Sequence, residues 1–264
     1  FNLNYKQTSM TILSDNQVTI YEEPVVERVR KFIRIESLIQ KLYFFKDKEN
    51  PLESYVALQS LCEIYEILAR SDIKSELIRE IENQNKIFKK IQEIPQADPD
   101  KLNSILEKQK LLLDLLHSTQ SNYIDYLSND VLFKTIHKNC TSQMQPASVD
   151  FWLSRDIAWR TNIIDLWIEP LLFIKKSIEF ILELIRKSGQ FSDKLAEKGF
   201  YIDKLDPKKN ILLVRITLAT DLYYFPQISV GKQRLNIMFM TKDELNNFTK
   251  YQEDVSFLLT LCSL

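Results

Sequence analysis

A chain of 264 residues, 45% hydrophobic and 27% charged, has a globular composition and can bury a real core as one large domain or two small ones. A formal net charge of −1 excludes a general nucleic-acid coat, which draws on a cationic surplus, so electrostatic recognition has to be local. Cys62, Cys140 and Cys262 show no C-x-x-C spacing and read as reduced thiols of a cytosolic protein, and no apolar run reaches the roughly 20 residues of a membrane span.

In chain order, the opening FNLNYKQTSMTILSDNQ lacks an initiator Met and a charged-then-apolar leader pattern, and is read as a polar tail. QVTIYEE (17–23) is strand-like and is expected to join a sheet formed later in the chain. The first helix is expected to begin at Pro24, with Val25, Val29, Phe32, Ile33, Ile39 and Leu42 on one face. A second is expected from about Leu52 to Ala69, and a third, capped by Ser71 or Asp72, stops before Pro95. Asp98-Pro99 opens a fourth, an acceptor at the cap followed by proline in the first turn. A fifth covers about 121–138. After the polar TSQMQPASVD, two more helices separated by Pro170 end at Ser188-Gly189, a left-handed stop signal.

Glycine occurs only at 189, 199 and 231, which favours helices with short turns before that point. Beyond Gly199 the period changes to two in GFYIDKL, ILLVRITLA, KQRLNIMFM and DVSFLLTLCSL. The expected fold is α+β: a helical domain over 24–188 and a smaller antiparallel β domain built from 17–23 plus 199–264.

Chemistry is hard to assemble from these residues. Three isolated glycines cannot form a phosphate cradle, and nothing resembles G-x-S-x-G. His117 and His137 each lack a second ligand at helical spacing, and Cys140, three residues past His137, does not complete a metal site. No catalytic residue, metal or cofactor is expected. A hydrolase using Cys62 or Cys140 would need an activating neighbour that the sequence does not supply.

Several cations stand out. In the strand GKQRLNIMFM, Leu235, Ile237 and Phe239 share one face with Gln233, while Lys232 and Arg234 share the other with Asn236 and Met238. Arg215 alternates out of the neighbouring strand, Arg30 and Arg34 stand one helical turn apart in RVRKFIRIE, and Arg70 closes the second helix. Each has a plain structural alternative, as an edge guard, a packed stem or half of a surface ion pair. Tyr43, Phe44, Phe45, Trp152, Trp159 and Trp167 read first as core, with any excess pointing to a dimer contact.

The runs YEEPVVERVRKFIRIESLIQKL, LIRKSGQF, GFY (199–201) and FPQISVGKQRLNIMFM together resemble the ZapD family of FtsZ-associated cell-division proteins, formerly termed YacF-type, over about Val18 to Met240. The resemblance implies a non-enzymatic cytoplasmic homodimer, with the helical domain expected to dimerise. It would bind the C-terminal tail of the tubulin-like FtsZ and bundle its filaments in the mid-cell division ring. A basic pocket in the β domain is implied for the tail, with Lys232 and Arg234 in the strand and Arg70 from the helical side; Arg34, Arg215 and Arg30 are further candidates. Where relatives can carry another Arg, this chain has Met238, so the pocket is expected to be less basic and to rely more on apolar contact. The alternative is an adaptor that binds another acidic peptide or a nucleic acid through the same face.

Overall fold

A computed structural model describes residues 18–95, 97–119, 123–140, 147–231 and 233–264. The chain divides into two compact units, one holding the described residues 18–30 with 182–264 and the other Lys31–Ile181. The fold is α+β, with a helical region followed by antiparallel sheets.

The helical unit takes most of α1 (Glu27–Phe45), then α2 (Pro51–Arg70), α3 (Ile73–Gln92), α4 (Pro99–Ser118), α5 (Tyr123–Asn129), α6 (Val131–Cys140), α7 (Ala147–Leu153) and α8 (Ile157–Ile168). A 3-10 turn, Glu169–Leu171, leads into α9 (Leu172–Lys187), whose last turns belong to the other unit. Local chemistry explains the helix starts. Asn50, Asp72, Asp98 and Asp156 each accept a hydrogen bond from a backbone N–H of the first turn, and Pro51 and Pro99 sit where no N–H is needed.

α2 is the central helix, packing against α5, α6, α7 and α8 and burying Leu58, Leu61 and Leu68. Trp152 and Trp167 are fully buried; Phe133 meets Trp167 edge-on at 5.2 Å and Tyr65 at 5.3 Å. Trp159 is half-buried, edge-on to Phe151, and Phe44 is exposed beneath the ammonium of Lys48. The buried guanidinium of Arg160 donates to the carbonyls of Leu153, Arg155 and Glu49 at 2.8–3.1 Å, tying three chain segments together.

The β unit is a sandwich of two sheets. The first runs β1 (Val18–Pro24), β4 (Ile211–Ala219), β8 (Val255–Ser263) and β2 (Gly189–Ala196), all antiparallel neighbours in that order. The second has β6 (Arg234–Lys242) between β3 (Phe200–Lys204) and β5 (Tyr224–Val230), with β7 (Phe248–Lys250) adding to the far end of β6. Leu235, Ile237 and Phe239 face Val214, Ile216, Phe257 and Leu259 across the core. These side chains alternate along their strands, as a half-buried sheet requires.

Three boundaries differ from the pattern reading. Pro24 is the last residue of β1, opposite Leu213, and the first helix starts three residues later at Glu27. A proline at the end of a strand leaves the ladder where no further N–H is required, and Val25 donates to Leu212 instead. The expected helix over 121–138 is two, because the Asp130 carboxylate accepts from the Phe133 N–H and restarts the chain as α6. The stretch before Pro170 likewise divides into α7 and α8, restarted by Asp156.

Candidate functional site

The six cations singled out from the sequence fall in different surroundings. Arg215 lies opposite Glu22 in the β1–β4 ladder, its Nε 2.9 Å from Glu22 Oε1. Arg186 donates to the same carboxylate with Nε and Nη2, both at 2.9 Å. Arg215 is thus half of a partly buried structural cluster. Arg30 donates to Glu23, Glu27 and the carbonyl of Pro24, and so clasps the β1–α1 junction. In the helical unit Arg34 donates to Glu63 at 2.8 Å. Arg70 pairs with Glu66 one turn earlier at 3.0 Å, and His137 Nε2 lies 3.6 Å from the same carboxylate. Lys232 lies outside the described residues.

Arg234 differs from the rest. It is exposed as the first residue of β6, and among the described residues no carboxylate comes within ion-pair distance of it. The β5–β6 hairpin holds its backbone, with the Gly231 N–H donating to the Arg234 carbonyl at 2.9 Å. The antiparallel register places Lys204 directly opposite, so two cations share one end of the second sheet's outer face.

The rest of that face follows from the same register. Residues paired across antiparallel strands point the same way, so Ile202 flanks Asn236, Phe200 flanks Met238, and Phe225 and Lys250 flank Met240. Phe200, Ile202 and Phe248 are 38%, 45% and 59% exposed, so this sheet face presents apolar side chains at its surface. At the end away from Arg234, Lys250 lies over the ring of Phe200 at 5.4 Å and Lys242 over Phe248 at 5.7 Å, while Phe225 meets Phe248 edge-on. No strand position on this face carries a carboxylate; Asp203 points inward, where it accepts from the Tyr201 hydroxyl at 2.7 Å. Burial, then that hydrogen bond, raises the Tyr201 phenol far above its usual range. The face is cationic at both ends, and between them Ile202, Phe200 and Met238 stand beside the uncharged polar Asn236, Gln227 and Ser229. Pattern reading found Arg234, but not Lys242, which ends the same strand beyond the stretch read, nor Lys204 and Lys250, whose placement depends on cross-strand register.

The thiols of Cys62 and Cys262 belong to α2 and β8 and stand apart from this face. Cys62 is buried, and burial pushes the Cys262 thiol up to about 11, which leaves it protonated and inert. Among the described residues no group of three His, Cys, Asp or Glu side chains could hold a metal ion, and no helix is long and apolar enough to cross a membrane.

Residues 33–238 match the family model described as ZapD, cell division protein. The chain is 31% identical to the cell division protein ZapD of Azoarcus sp. (strain BH72) over 250 residues, spanning 92% of this chain and 99% of that protein. It is 27% identical over 252 residues to the ZapD of Aromatoleum aromaticum, and 28% over 250 residues to that of Cupriavidus pinatubonensis, with 98% and 99% of those proteins covered. With most of its length inside the family model and relatives matched nearly end to end, the chain belongs to the ZapD family of cell division proteins.

Proposed function

We propose that this protein is a non-enzymatic cross-linker of FtsZ filaments, binding the FtsZ C-terminal tail at the second sheet of its β unit. The observation that carries the reading is Arg234, exposed and without an ion-pair partner among the described residues, beside Lys204 on a face whose strand positions carry no carboxylate. An almost neutral protein has here a small cationic patch next to exposed apolar surface, the surface that a short tail with carboxylates and apolar anchors would fit. The tail lies across the face and does not extend the sheet at β5, because Pro226 interrupts that edge by lacking an N–H. Lys232, two residues before Arg234 in the sequence, is a further candidate for the tail, and Arg70 is the helical unit's own candidate.

Cross-linking needs at least two sites per particle, and a homodimer supplies them. Leu111 and Leu115, exposed one turn apart on α4, support a dimer contact on the helical unit. Two sites per dimer and many tails per filament turn a weak contact into firm attachment, which accounts for bundling at a mid-cell ring in the cytoplasm. Co-sedimentation of FtsZ filaments tests this. Wild type should shift filaments into the low-speed pellet, and Arg234→Glu should not. An Arg234→Glu variant that bundles like wild type would remove the strand from the site.

A further inference from the structure

We infer that the outer face of the second sheet grips its peptide at two cationic ends, so that it selects an extended segment with carboxylates on both sides of an apolar centre. The inference rests on the tail-binding reading and specifies the chemistry of the tail. Lys204 and Arg234 form one end. The other is Lys250, paired with Met240, and Lys242, paired with Phe248. From Arg234 to Met240 is six strand residues, or about 20 Å at the usual rise, so the two ends are far enough apart to act independently at physiological ionic strength. Between them Ile202, Met238 and the part of Phe200 that Lys250 leaves uncovered offer contact to apolar side chains, beside the uncharged Asn236, Gln227 and Ser229.

The two ends differ in a way that matters for recognition. Arg234 pairs with no carboxylate among the described residues and can meet one with its planar donor fork. Lys250 and Lys242 are held over aromatic rings, which fixes where the ammonium groups stand without neutralising them. A carboxylate arriving at that end keeps the ring contact and gains an ion pair. A peptide with an acid at one end only leaves one of the two cationic pairs solvated and unused.

The test uses the full chain and two labelled peptides of equal length with a central proline to keep them extended. One carries Asp-Glu at both ends of a Leu/Phe segment, and the other carries Asp-Glu at one end and Gln-Ser at the other. Fluorescence anisotropy should show wild type preferring the first by about tenfold, the effect of one added charge-assisted contact. Lys242→Gln/Lys250→Gln should abolish that preference, and Ile202→Asp, at an exposed position that can accept it, should weaken both peptides. Equal binding of the two peptides by wild type, or a preference that survives Lys242→Gln/Lys250→Gln, would overturn the inference. Thermal melts of each variant separate loss of binding from loss of fold. If Lys204→Glu/Arg234→Glu abolishes binding of the FtsZ tail while the far-end variant leaves the two-peptide preference unchanged, the tail-binding reading stands and only the two-ended grip fails.

Discussion

Arg160 and Arg234 are both arginines, and their surroundings separate them. Arg160 is almost wholly buried, and its Nη1 and Nη2 donate to backbone carbonyls of Glu49, Leu153 and Arg155, so its charge serves to tie the helical unit together. Replacing it by Met removes the donors and strands three acceptors, and should cost about 1–3 kcal/mol, read as a lowered urea midpoint. Its effect on tail binding should be nil at temperatures where the variant is folded. Arg215 is closer to Arg160 than to Arg234 in kind, because it pairs across the first sheet with Glu22, a carboxylate that Arg186 of α9 also engages. A count of basic residues treats all of these alike; partners and burial tell them apart.

At the scale of elements, helix caps carry local stability that can be titrated. Asp72 accepts from the hydroxyl and N–H of Ser75, and these two bonds, the hydroxyl first, lower its carboxyl pKa below the usual aspartate value. A carboxyl lowered on folding stabilises the fold above its unfolded pKa of about 3.9, and that contribution fades as pH falls through the lower folded value. Asp72→Ala should therefore cost about 1 kcal/mol near neutral pH, with the gap to wild type closing below about pH 4 in denaturant titrations. Gly199 is the turn counterpart. It adopts φ +69°, and a Cβ there would lie 2.1 Å from the Tyr251 carbonyl oxygen, so Gly199→Ala should destabilise the β unit by more than about 1 kcal/mol. A variant that melts with wild type would contradict the turn geometry.

The caps at Asp72 and Asp98 and the strands around Leu213, Ile237 and Phe257 were legible in the sequence because each is a local signal, an acceptor before a helix or a period of two. Three strands were not, the three-residue β7 among them. β2 exposes most of its length and has little apolar alternation to read, and β5 carries Pro226, which argues against a central strand and is tolerated because β5 is at the edge of its sheet. The same limit applied to the site. Arg234 and its face were visible from alternation, but Lys204 and Lys250 come to that face only through pairings of residues that are distant in sequence.

In the proposed role of the whole molecule, recognition lies on one sheet face and strength in valency. A formal net charge of −1 leaves little long-range attraction, so the patch around Arg234 has to work at short range, and exposed charges screened over about 8 Å at physiological salt must lose affinity as salt rises. Apolar contacts with Phe200 and Ile202 do not weaken in that way, so binding should fall with salt without vanishing. The most direct measurement is fluorescence anisotropy of a labelled FtsZ C-terminal tail peptide against the wild-type protein and Lys204→Glu/Arg234→Glu, at low and moderate salt. The account predicts saturable binding that weakens with salt and is lost in the variant while its melting temperature holds. Wild-type affinity in the variant, or no binding of the tail by a folded wild-type protein, would contradict it.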